Sequence, residues 1–192
     1  MLPAIDKNKR YTYADYITWG EDVRCEIIDG VVYDMSPAPG WLHQELSTNL
    51  LIQLGVFLEG KPCKVFHAPF DVRLDNESDD GSVVQPDIVV ICNSEIISGT
   101  GCTGAPDMVI EILSPSTASK DMIIKYNRYL RAGVREYWIV DPKTKSVRVC
   151  VLKDGKYDSI DYLDPGGIQV NVLEGCEIDM RRVFANLEPD ED

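Results

Sequence analysis

The stretch APDMVIEILSPST, residues 105–117, decides how this chain is read. Met108, Val109, Ile110, Ile112 and Leu113 are the residues a buried strand needs, and Glu111 stands among them. A carboxylate in an apolar setting without a partner costs several kcal/mol or takes up a proton. A second stretch repeats the anomaly. In VVQPDIVVI, residues 83–91, Asp87 follows Pro86 and precedes four aliphatic residues. Two such acids brought together repel, and a divalent cation between them relieves both problems. Hard oxygen ligands at neighbouring strand ends suit Mg²⁺ or Mn²⁺, with water filling the other positions. Strand alternation leaves another reading open: Glu111 lies on the face opposite Ile110 and Ile112 and could point at solvent, and either acid could be paired with a basic side chain.

The segment after Glu111 predicts a helix over 118–132, capped by Thr117 and closed by Gly133. At about 100° per residue from Asp121, Met122, Tyr126, Tyr129 and Leu130 form an apolar stripe with Lys125 at its edge. The stem of Lys125 can lie along that surface while its ammonium reaches toward the strand end, or it can simply snorkel to water. Lys120 falls on the far side and reads as solvated.

Toward the N-terminus, Thr12 can cap a short helix, and CEIIDGVVYDM reads as two strands around Asp29-Gly30. SPAPG (36–40) breaks the pattern. Leu42, Leu46, Leu50 and Leu54 then fall four apart and predict a long helix from Trp41, ended by Gly60 and Pro62. Residues 63–74 read as one bent strand or two, 83–91 as one buried strand, and 93–104 as a loop. REYWIVDP is a further strand, 146–163 a hairpin turning at Asp154-Gly155, and Met180 to Phe184 a short helix. Helices and strands interleave with hairpins, which predicts an α/β (α+β) chain built on a central mixed sheet flanked by helices, with additional antiparallel hairpins. The organisation expected is an N-terminal arm (1–11), a single domain (12–187) and an acidic tail (188–192).

The 192 residues are 44% hydrophobic and 27% charged, ordinary for a globular domain. No apolar run approaches the roughly 18–20 residues that cross a bilayer, and no secretory signal is seen, so the expectation is a cytoplasmic protein away from membranes. In that setting the six scattered cysteines read as reduced thiols. The net charge of −13 opposes sequence-independent nucleic-acid binding, although part of it lies in the runs 75–80 and 188–192.

At these residues the sequence resembles the PD-(D/E)XK nuclease superfamily, and within it the Uma-two family of restriction-endonuclease-like proteins. Pro86-Asp87 looks like the family's PD and Glu111 like its second acid. CEIIDG, APGWLHQEL, VIEILSPST and KYNRYLRAGVREYWIVDP extend the likeness over roughly residues 12–165. The resemblance implies a restriction-endonuclease-like core and Mg²⁺- (or Mn²⁺-) dependent hydrolysis of DNA. Asp87, Glu111 and the Ile112 backbone carbonyl would hold the metal. The superfamily places a lysine two residues after the second acid, where this chain has Leu113; the related family carries it on the next helix, at Lys125. Glu26 resembles the family's acid in the first strand and could equally be an ordinary strand acid. His43, near the start of the long helix, could meet a phosphate or accept a proton, or be structural. Gln85 alternates with Asp87. DNA is the implied substrate, and a homodimer would supply two sites for two strands. The alternative is a catalytically silent nuclease fold that binds a protein or nucleic-acid partner.

Overall fold

The computed structural model describes residues 5–6, 8–20, 23–35, 39–75, 81–115 and 118–187. The expected Thr117 cap, residues 1–4 and 7 of the arm, most of the SPAPG break, the run 76–80 and the tail 188–192 lie outside the described residues. The chain opens with α1 (Tyr13–Tyr16), the hairpin β1 (Cys25–Ile28) and β2 (Val31–Asp34), and the long α2 (Trp41–Leu58). Strands β3 (Lys64–His67), β4 (Asp71–Arg73), β5 (Val83–Val84) and β6 (Ile88–Ile91) follow, then the short β7 (Ile97–Ser98) and β8 (Gly101–Thr103), and β9 (Met108–Ile112). A π-helical turn (Lys120–Lys125) runs into α3 (Tyr126–Ala132). The remainder is β10 (Glu136–Asp141), β11 (Ser146–Lys153), β12 (Lys156–Leu163), β13 (Gly167–Gln169), β14 (Glu177–Asp179) and α4 (Met180–Val183).

These strands make two six-stranded mixed sheets and a small hairpin. The first sheet has the order β2-β1-β5-β4-β8-β7, the second β12-β11-β10-β9-β6-β3, and β13 pairs with β14. In the second sheet β9 and β10 are parallel, joined by the π-helical turn and α3, while β6 is antiparallel to both β3 and β9. The two predicted hairpin turns are present: Asp29 and Gly30 have φ of 50° and 76°, Asp154 and Gly155 of 49° and 75°. That pair of positive values is the turn whose twist matches two flanking strands.

Both faces of the second sheet are covered. On one, Leu46, Leu50, Leu54 and Leu58 of α2 pack with Ile88, Val90, Ile110 and Ile112. On the other, Tyr129 of α3 joins Val89, Val109, Tyr137 and Ile139, together with Val72 and Val84 of the first sheet. Glu111 alternates with Ile110 and Ile112, so it falls on this second face and is 4% exposed. The reading in which it faces solvent is thereby excluded.

Several expectations are corrected. Residues 83–91 are not one strand: β5 belongs to the first sheet and β6 to the second, and the chain changes sheets over Gln85-Pro86-Asp87. Pro86 cannot donate to a ladder, so it marks the changeover. Residues 63–74 take the second of the two readings left open, two strands, which lie in different sheets, and 93–104, expected as a loop, contributes β7 and β8. Two of the six cysteines form a disulfide, Cys63–Cys92. The β3–β6 register pairs Lys64 with Ile91, and one further step brings these two cysteines opposite each other. The other four are free and buried.

Candidate active site

Asp87 ends the changeover, immediately before β6. Its backbone carbonyl still accepts from Ala68 N–H (3.1 Å). The antiparallel pairing of Ile88 with Ile110, continued by one step, sets Asp87 against Glu111; continued by two, it sets Pro86 against Ile112. Directly opposed residues share a face. A proline has no N–H to offer the Ile112 carbonyl. The Ile112 N–H instead donates to Asp87 Oδ2 at 2.7 Å.

His43, in the first turn of α2, has Nε2 3.2 Å from the same Oδ2. Burial would lower the imidazole pKa, but the hydrogen bond and charge of Asp87 outweigh it and hold the ring above its ordinary value. Both contacts use Oδ2, so Asp87 Oδ1 has no partner among the described residues.

Glu111 is held from the helical side. Lys125 Nζ donates to Oε1 at 2.7 Å and the Tyr129 hydroxyl to the same oxygen at 2.8 Å. Oε2 has no partner among the described residues. Burial pushes the Glu111 carboxyl up to about 8, and the charges of Asp121, Asp87 and Glu26 add to that push against the pull of Lys125. The Tyr129 hydroxyl is driven well above its ordinary value, by burial first and then by Glu111, and stays a donor.

Lys125 is the hub. Besides Glu111, its ammonium lies 2.8 Å from Glu26 Oε1 and 3.6 Å from Asp121 Oδ1, with the side chain 4% exposed. Burial disfavours the charge, but Glu111, Glu26 and Asp121 hold its pKa well above the usual lysine value. Glu26 comes from β1 of the first sheet, so this ion cluster joins the two sheets through the helical segment. Burial alone would raise Glu26, yet Lys125 and Lys120 more than offset it and keep the carboxyl below its ordinary range. Gln85 N–H also donates to Glu26 Oε1 (3.0 Å).

All the residues singled out in the sequence therefore meet in one region, with additions. Lys120 is not solvated: its Nζ is 2.6 Å from Glu26 Oε2. In an α-helix residues five apart point about 140° from each other. In a π-helical turn the i→i+5 bonding brings them to one side, so Lys120 and Lys125 reach the same acid. Asp121 and Tyr129 were the other residues missed. The i,i+4 spacing of Asp121 and Lys125 was the available signal for the first. The hydroxyl of an otherwise apolar stripe residue was the signal for the second.

The donor set fits a hard divalent cation. Asp87 Oδ1, Glu111 Oε2 and the Ile112 carbonyl could hold it, with water completing the shell as Mg²⁺ requires. Among the described residues no three His, Cys, Asp or Glu side chains form a cage. A cation here would accordingly rest on two carboxylates, one backbone carbonyl and water.

An uncharacterized protein of Synechocystis is 27% identical over 117 residues, which is 60% of this chain and 60% of that relative's length. A crystal structure described as a "putative nuclease belonging to DUF820" from Anabaena variabilis superposes with a TM-score of 0.73 at 18% identity, covering 91% of this chain and 98% of that one; the likeness establishes the shared fold. No helix among the described residues is long and apolar enough to cross a membrane. The family described as "Putative restriction endonuclease", Uma2, matches residues 12–181, and the chain belongs to it.

Proposed function

We propose that this chain is a metal-dependent endonuclease that hydrolyses DNA phosphodiester bonds. The observation that carries the reading is the opposition of Asp87 and Glu111 across β6 and β9, each with one carboxylate oxygen engaged and the other without a described partner. Family membership and the nuclease named for the Anabaena structure support it. Mg²⁺ or Mn²⁺, when bound, supplies an activated water and offsets charge on the leaving oxygen.

The chain's own residues supply the rest. Ile112 N–H and His43 hold Asp87 through Oδ2, which leaves Oδ1 without a partner among the described residues. Lys125 and Tyr129 fix Glu111 through Oε1 and present Oε2. The high proton affinity of Glu111 means that cation binding there releases a proton.

Mg²⁺ or Mn²⁺ should raise the Tm of the wild type, by about 2.7 kcal/mol of added stability at a hundredfold excess over Kd. Asp87→Ala should abolish the shift. Plasmid and single-stranded DNA should be cut in Mn²⁺ by the wild type and not by Glu111→Ala. No metal-induced shift up to millimolar concentrations would remove the basis of the proposal.

A second reading, a silent nuclease fold that binds a partner, is favoured by Leu113 in place of the strand lysine and by the net charge of −13. Cleavage that persists in Glu111→Ala would indicate a contaminant and favour this reading.

A further inference from the structure

We propose that Lys120 is the cation that contacts the scissile phosphodiester, while Lys125 is a positioning residue that holds the carboxylates; this rests on the nuclease reading above. A lysine ammonium has three N–H donors and no acceptor. The ammonium of Lys125 lies 2.7 Å from Glu111 Oε1 and 2.8 Å from Glu26 Oε1, with the charge of Asp121 Oδ1 3.6 Å away, beyond hydrogen-bond reach. With its side chain 4% exposed among three buried acids, it presents little surface to a phosphate oxygen. Turning Lys125 toward a substrate would leave buried carboxylates uncompensated.

Lys120 is placed differently. Among the described residues its one partner is Glu26 Oε2 at 2.6 Å, and its side chain is 14% exposed against 4% for Lys125. It can keep that contact and still offer donors outward. It is tied to the metal-proposed acids through Glu26, whose Oε1 lies 2.8 Å from the Lys125 ammonium that also holds Glu111 and accepts from the N–H of Gln85. The π-helical turn is what delivers both lysines to one acid, one buried beneath it and one nearer the surface. In a chain of net charge −13, a phosphate contact has to come from a cation whose donors are not already enclosed.

The test is a salt series of oligonucleotide binding. A short fluorescent single strand is titrated with the full chain in Ca²⁺, and log K is plotted against log salt. One lost phosphate contact flattens the slope by about 0.7 for a single strand. Lys120→Met should show that flattening with weaker binding, and a smaller fall in Tm than Lys125→Met because Glu26 keeps Lys125. Lys120→Arg should restore the slope, and Lys120→Gln gives a second uncharged variant should the Met form fail to fold. Lys125→Arg should lower Tm and keep the wild-type slope. A Lys120→Met or Lys120→Gln protein with the wild-type slope overturns this inference alone if the wild type cuts DNA in Mn²⁺. A wild type that neither binds nor cuts overturns the nuclease reading and this inference together.

Discussion

Replacing Lys125 with Met tests the ion cluster directly. The methionine keeps most of the stem volume and removes only the charge. The ammonium is buried, and the side chains of its partners Glu111, Glu26 and Asp121 are 5%, 1% and 3% exposed. Breaking a buried pair by removing one partner costs roughly 3–5 kcal/mol, because the remaining charge is uncompensated. Two features reduce the loss. Glu111 already binds a proton with a pKa near 8, so it can neutralise itself, and Glu26 retains Lys120. The lower end, about 3 kcal/mol, is therefore expected. For a chain of this size each kcal/mol moves Tm by about 2–4 °C, which gives a fall of about 6–12 °C. Scanning calorimetry reads the shift, and urea titration should show a lower midpoint at unchanged m. Adding Glu26→Gln to Lys125→Met should recover part of the loss, since the acid that stays ionised is then neutral. A fall below about 1 kcal/mol, or no coupling between the two sites, would show that the ammonium is not enclosed by these acids.

The pH dependence of stability should carry the mark of Glu111. Its folded pKa, near 8, lies above the ordinary 4.5, so the native state holds the proton more tightly and stability falls as pH rises from about 4.5 to 8. At 1.36 kcal/mol per pKa unit the fall is on the order of 5 kcal/mol, and Glu111→Gln should lose it in metal-free unfolding curves; an unchanged curve refutes the burial argument. Cys25 and Cys176 are pushed up to about 11 and Cys102 to about 12 by burial. A thiol reagent acting on the thiolate should therefore find nothing in the native unreduced protein, four groups after unfolding and six after reduction; rapid native labelling would contradict the packing. A Cβ added at Gly101 would lie 1.9 Å from the Asp71 carbonyl oxygen, where β4 and β8 run side by side. Gly101→Ala should cost about 3 kcal/mol in urea unfolding, the upper range for overpacking, and a neutral result would displace β8 from that position.

Much of this arrangement was readable in the chain. Leucines four apart gave α2 its buried face, Asp-Gly pairs marked two hairpins, and aliphatic runs around Asp87 and Glu111 located the two strands that oppose each other. What could not be read depends on long-range pairing. Val83 and Val84 look like the same strand as Ile88–Ile91 because both are aliphatic, and only their partners assign them to different sheets. Cys63 and Cys92 are joined by a register that neither local segment encodes. Lys120 was misplaced because α-helical spacing was assumed where the backbone is π-helical, and composition does not distinguish the two.

The sheet changeover at Gln85-Pro86-Asp87 bears on when the site comes into being during synthesis. Glu26 and Lys120 are 94 residues apart, and each such closure has an entropic cost that precedes any contact. A nascent chain halted before residue 120 carries Glu26, Asp87 and Glu111 and neither lysine. Such a chain has neither ammonium to offset Glu26 and Glu111, so the ribosome-bound fragment lacks the ion cluster that joins the two sheets. The cluster closes only when Lys120 and Lys125 reach a strand made almost a hundred residues earlier.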